Sequence, residues 1–160
     1  MKNKIYKFSF LLMALGTLFI SCDSARVFEK NIDLPDYSWD TKNKISFEVT
    51  IDDTIPQNNF FINVRHASQY PYANLNVFVT IKFPNGKLAQ DTVNCILADV
   101  NGKWLGDGMG DIWDFQSVWK HNIKFPITGK YIFEIEHAMR MDQVPFVMDM
   151  GLRIEKVEKK

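Results

Sequence analysis

Apolar and polar residues alternate with a period of two along most of this chain, a pattern that buries one face of a strand but no face of a helix. Ile45, Phe47, Val49 and Ile51 alternate with Ser46, Glu48 and Thr50, and Phe60, Ile62 and Val64 alternate across Asn63 and Arg65. These runs predict two antiparallel strands. Leu75, Val77, Val79, Ile81 and Phe83 continue the period, and Pro84-Asn85-Gly86 supplies a tight turn before a strand over 88–97, which makes a hairpin. A strand over 119–125, a turn at 126–129, a strand carrying Tyr131, Phe133 and Ile135, and a last one carrying Met148, Met150, Leu152 and Ile154 complete the series. With an opening strand near 26–31, roughly eight strands at short spacing predict an all-β fold, an antiparallel two-sheet sandwich or jelly roll. Residues 35–43 read as an extended connection and 155–160 as a solvated tail.

The amino terminus follows a different rule. Lys2, Lys4 and Lys7 precede an uncharged run over 8–20, the basic and apolar regions of a secretory signal. The run is shorter than the about 20 apolar residues a membrane-spanning helix needs. It ends in Phe19-Ile20-Ser21-Cys22, which resembles a lipobox. The expectation is a lipoprotein signal peptide over 1–21, removed, and a single β-sandwich domain over 22–160 held to a membrane by lipid on Cys22, outside the cytoplasm. An ordinary signal peptide cut nearby, leaving Cys22 as a thiol, is the other reading.

Cleavage there removes three of the 19 basic residues and none of the 19 acidic ones, so the mature charge is near −3. That balance argues against nucleic acid as a partner. With Cys22 acylated, Cys95 has no partner, so no disulfide framework exists; in its strand context Cys95 reads as a buried small hydrophobe.

Residues 99–117 break the alternation, with four glycines, four aspartates and two tryptophans in 19 residues. The segment reads as a long loop, the kind of element that often carries function. Gly106, Gly108 and Gly110 lack the βαβ setting of a phosphate cradle. Asp99, Asn101, Asp107, Asp111 and Asp114 offer hard oxygen ligands, yet their spacing fits no EF-hand and they read better as turn-capping side chains. Trp104, Trp113 and Trp119 are candidates for an aromatic platform or for core anchors of the loop. Trp104, Asp107, Asp111, Trp113 and Phe115 are the expected interaction residues, with Trp113 and Phe115 exposed. His66, His121 and His137 have no metal spacing and read as solvated or singly hydrogen-bonded. No catalytic constellation, metal site or cofactor motif is present in the sequence, and the expectation is a protein that is not an enzyme.

Several segments together resemble the gliding-motility lipoprotein GldH family of Bacteroidetes. They are the lipobox with Val27-Phe28-Glu29, Trp39, Asn63-Val-Arg-His66 with Tyr70-Pro-Tyr-Ala-Asn-Leu75, Leu97-Ala-Asp-Val-Asn-Gly-Lys-Trp-Leu-Gly-Asp-Gly108, and Met139-Arg140 with Asp149-Met-Gly-Leu152. His66 departs from the pattern, which has Asn there. The resemblance implies a cell-envelope lipoprotein that works with the gliding and associated type IX secretion machinery, by contacts with other envelope proteins. It implies no catalytic residue and no cofactor. A lipid-anchored glycan-binding module of jelly-roll type is the competing reading, and it requires an exposed, coplanar pair of tryptophans.

Overall fold

The computed structural model describes residues 24–157, so the signal-peptide reading and Cys22 lie outside the described residues. The strands are β1 (Arg26–Asp33), β2 (Ser38–Asp40), β3 (Ile45–Ile51), β4 (Asn58–Ala67), β5 (Asn74–Lys82), β6 (Leu88–Ile96), β7 (Asp107–Met109), β8 (Ile112–Ile123), β9 (Gly129–His137), β10 (Gln143–Pro145) and β11 (Val147–Lys156). One antiparallel sheet has the order β1-β11-β4-β8-β7, the other β3-β9-β5-β6, and β2 pairs with β10 in a small ribbon. The fold is the all-β sandwich that the alternation predicts, with eleven strands where about eight were expected. The additional ones are the three-residue pieces β2, β7 and β10, too short to show a period.

Strict alternation is what lets two sheets share one core. Every odd residue of β3 from Ile45 to Ile51 is buried, and so is every even residue of β4 from Asn58 to His66. Aromatic rings close the gap between layers: Phe28 meets Phe47 edge-on, and Phe60 and Trp119 both meet Phe133. Cys95 is fully buried, and desolvation pushes its thiol pKa up to about 11, as a packed, unreactive sulfur requires.

Four expectations need correction. Residues 155 and 156 are not part of a solvated tail but end β11, paired with Asn59 and Asn58. β3 and β4 do not pair; they lie in opposite sheets, because residues 52–57 carry the chain across the sandwich. Residues 35–43 are not a plain extended connection but hold a single 3-10 turn (Pro35–Tyr37) and β2. Residues 99–117 are not one long loop: β7 and the first half of β8 lie inside them. Trp113, Phe115 and Ser117 do alternate with Asp114 and Gln116, but the glycines and aspartates just before them masked the onset of the strand.

The connections sort into two ends. Residue 24, the loops 52–57, 83–87 and 124–128 and Lys156 share one end, where the backbone N–H of Lys156 donates to Ala25 O at 2.7 Å. The turns at 34–44, 68–73, 97–106, 110–111 and 138–142 share the other, called distal below.

Candidate functional site

Apart from the Phe61–Val118 pair, the outward residues at the centre of the five-stranded sheet are polar, and their register makes one continuous row. Asn31 stands opposite Gly151, Gly151 opposite Asn63, and Asn63 opposite Gln116. Gly151 has no side chain to interrupt the row. A Cβ there would fall 1.8 Å from Asn31 Oδ1, so the Asn31 amide lies across the glycine and reaches β4. Asn63 Nδ2 donates to Asn31 Oδ1 at 3.1 Å, and Gln116 Nε2 donates to Asn63 Oδ1 at 3.1 Å.

Beside this amide ladder lies a charged one. Arg65 Nε donates to Asp114 Oδ1 at 2.6 Å, and its terminal nitrogen sits 3.0 Å from Asp149 Oδ2. Asp149 is buried, and burial raises its pKa although Arg65 pulls it back down. Arg153 bridges Glu29 at 2.7 Å and Glu155 at 3.0 Å. Asn31, Asn63, Gln116, Arg65, Asp114, Asp149 and Glu29 line an open groove of about 480 Å³, together with Gly106 and Asp107 where β7 meets β8. The groove draws on four of the segments that carried the family resemblance, through Glu29, Asn63 and Arg65, Gly106 and Asp107, and Asp149.

Local geometry explains how 97–111 is set against it. Asp99 Oδ1 accepts the backbone N–H groups of Asn101 and Lys103 at 2.8 and 2.9 Å, and Gly102 takes a positive φ to close the turn. That use of Asp99 is the turn-capping role. Among the described residues no three His, Cys, Asp or Glu side chains converge to hold a metal. At Gly106 a Cβ would sit 2.3 Å from the carbonyl oxygen of Asp114, so only glycine lets the chain close on β8 here.

Of the expected interaction residues, Asp107 and Phe115 line the groove. Asp111 sits in the β7–β8 turn, its carbonyl accepting Ser68 N–H at 2.7 Å. Trp104 is half-buried against His66, ring centroids 4.6 Å apart, and against Tyr70. Trp113 and Phe115 are half-buried, not exposed: the Trp113 ring covers Gly108, its Nε1 donates to Ser68 Oγ at 3.0 Å, and Phe115 packs on the core. Trp119 lies edge-on to Phe60, and Trp39 is fully buried. The tryptophans are spent on packing, so the exposed coplanar pair that sugar stacking requires is not formed among the described residues. Asn63, Arg65 and Asp149 were missed as site residues. A glycine inside the last strand was the available signal.

The histidines also differ from expectation. His121 is exposed and hydrogen-bonded to Asn59 Oδ1 at 3.3 Å, but His66 and His137 are buried. His66 Nδ1 donates to Ala67 O at 3.0 Å, leaving a bare Nε2 with no partner. Neither nitrogen of His137 reaches a partner of good geometry, although backbone at Asp142 and Trp39 lies near enough to pull its pKa part of the way back. Desolvation lowers the pKa of both below the usual histidine value. The unfolded chain therefore takes up protons first as pH falls below about 6.5, and the folded state loses stability there. The melting midpoint at pH 5.5 should lie several degrees below that at pH 7.5, since about 1 kcal/mol shifts it by roughly 2–4 °C at this size. His66→Phe should flatten that slope; thermal scans at the two pH values read it directly.

An antiparallel sandwich with an open polar groove on one sheet, in a chain expected to begin at a lipid-modified cysteine, defines a β-sandwich lipoprotein of the cell envelope. Residues 26–154 match the model of the GldH lipoprotein family, and the chain belongs to that family. It is 34% identical over 154 residues to the gliding motility lipoprotein GldH homolog of Christiangramia forsetii, covering 92% of this chain and 94% of that one. It is 30% identical over 156 residues to the gliding motility lipoprotein GldH of Flavobacterium johnsoniae, covering 93% and 96%. Among solved structures, the Cry4Aa toxin of Bacillus thuringiensis is similar at a TM-score of 0.45 and 10% identity, over 82% of this chain and 24% of that one.

Proposed function

We propose that this protein is an accessory component of the gliding motility apparatus and its associated type IX secretion machinery, held outside the cytoplasm by lipid on Cys22, and that it works by protein contact rather than catalysis. The names of its relatives support the motility role. The observation that favours contact is the composition of the distal end. Among the described residues β7 is the edge of its sheet, with no strand on its outer side, and it borders the groove through Asp107. On the same stretch Val100 and Met109 expose almost their whole side chains. A free strand edge flanked by solvated apolar side chains and a polar groove is what a protein partner recognises.

The test is the double change Val100→Asp with Met109→Asp. Both side chains are solvated, so the melting temperature should stay within about 2 °C, because surface changes of this kind stay within about 0.5 kcal/mol. Colony spreading and co-purification of apparatus proteins should both fall. A stable variant that spreads and co-purifies as the wild type does would remove the distal end from consideration. Binding of an oligosaccharide in the groove, lost on Gln116→Ala, would instead favour the glycan reading.

A further inference from the structure

The end opposite the distal turns carries a second surface with its own chemistry. Ser24, the first described residue, lies beside Arg26, Asp52 and Phe125. Only Asp23 separates Ser24 from Cys22, a reach of at most about 7 Å for any chain conformation. If Cys22 is lipidated, as proposed above, this end lies against the bilayer whatever the linker does.

Its side chains suit that position. Ile55, Leu88 and Ile123 are exposed there, at 78%, 68% and 42% of their full areas. Lys82, Lys87, Lys124 and Lys156 surround them, against Asp52, Asp53 and Glu155; Arg26, Lys120 and Lys130 are paired with Glu29, Asp91 and Glu48. Acidic residues crowd the distal end instead, among them Asp36, Asp99, Asp107 and Asp111. The sandwich is thus polarised along its long axis, basic and aliphatic toward the anchor.

Between the lower halves of β6 and β8 the Lys120–Asp91 ion pair, at 2.6 Å, joins the two sheets at the side of the sandwich. β7 pairs only with Ile112, Trp113 and Asp114 of β8, so it leaves this part of the sandwich side uncovered. A cleft of about 330 Å³ opens here, floored by Phe60, Phe125, Tyr131 and Phe133, with Ile123 and Lys124 on its rim. Phe125 lines both this cleft and the depression beside Ser24, so the two are neighbours.

We propose that the anchor end of the sandwich rests on the bilayer surface and that the aromatic cleft takes one acyl chain of a membrane phospholipid, its anionic headgroup meeting Lys124. Apolar lining suits the chain, and a cation at the rim suits the phosphate. The domain stands upright as a result, with β7 and the distal turns farthest from the membrane and the groove open on the flank of its sheet.

The core residues run from Leu34 to Ile154, so residues 23–160 keep the whole core without the anchor and can be tested as a soluble protein. Vesicles of phosphatidylcholine with a minor share of phosphatidylglycerol are floated with it, in parallel with pure phosphatidylcholine. Co-flotation should favour the anionic vesicles and weaken about tenfold or more in the double variant Ile123→Asp with Lys124→Glu. The Trp119 ring lies 5.7 Å from that of Phe60 on the cleft floor. Phospholipids brominated on their acyl chains should therefore quench its fluorescence, and Trp119→Phe should remove most of the quenching. Failure to float, undiminished flotation of the double variant, or flotation without Trp119 quenching would each overturn the proposal. So would self-association abolished by the double variant, which would make the cleft an interface between copies. None of these readouts depends on lipid at Cys22, so a failure here is distinct from a failure of the anchor reading.

Discussion

Changing Cys22 to Ser should move the protein out of the detergent-rich phase and into the aqueous phase in detergent phase separation. The reason is arithmetic in methylenes. One acyl chain contributes about 0.8 kcal/mol per buried CH₂ yet binds only marginally, and the several chains of a bacterial lipoprotein together hold stably. Nothing else described in this protein replaces them: among the described residues no helix is long and apolar enough to cross a membrane. The basic, aliphatic end supplies an attraction that is weak and salt-sensitive, so residual binding should disappear as ionic strength rises. Folding should be untouched, since the core and the side chains packed on it lie between residues 27 and 154. A serine variant that still partitions like the wild type would show that Cys22 is not the anchor.

Replacing Arg65 with Met should cost about 2–3 kcal/mol of stability, the largest loss expected from any single change at the groove. Its contact with Asp114 contributes little, because both partners are well solvated. The cost comes from Asp149, whose side chain is only 3% exposed and would be left as an uncompensated carboxylate. Breaking a fully buried pair costs about 3–5 kcal/mol, and the figure is reduced here because 40% of the Arg65 side chain faces water. Asp149→Asn in the Arg65→Met background should return much of the loss. The pH dependence separates this account from a general packing defect. Asp149 already has a raised pKa and loses its main source of compensation, so its folded-state pKa rises further. A raised carboxylate pKa means the folded state binds the extra proton, and stability is lost as pH rises through that range. The gap between variant and wild type should therefore be smaller at pH 5 than at pH 8 in paired denaturation curves. An equal gap at both would assign the effect to packing.

The core was legible in the sequence because period-two alternation is a direct record of which face is buried. Ile45 to Ile51 and Asn58 to Val64 follow it almost without exception. Pairing was less legible, since alternation says nothing about which strand lies next to which; β3 and β4 read as neighbours and stand in opposite sheets. The groove was hidden for a related reason. Asn63, Arg65 and Asp149 are far apart in sequence, and each reads as an ordinary outward polar residue until register sets Arg65 opposite Asp149 and Gly151 between Asn31 and Asn63. Trp113 looked exposed because it follows a run of glycines, but the missing side chain at Gly108 is the space its ring fills. Burial of His66 depends on Trp104 folding back over it, a contact that no local pattern records.

The most direct test of the distal surface is site-specific photo-crosslinking in living cells of the source organism. A photoreactive residue is placed at Met109 beside the groove, at Gln116 within it, and at Phe78 and Thr92 on the outer face of the other sheet. Discrete adducts should form from Met109 and Gln116, their masses and peptides identifying proteins of the gliding and secretion apparatus, while Phe78 and Thr92 yield none of these. The same adducts from both faces, or none from Met109 and Gln116 in protein that is normally abundant and membrane-bound, would contradict the account.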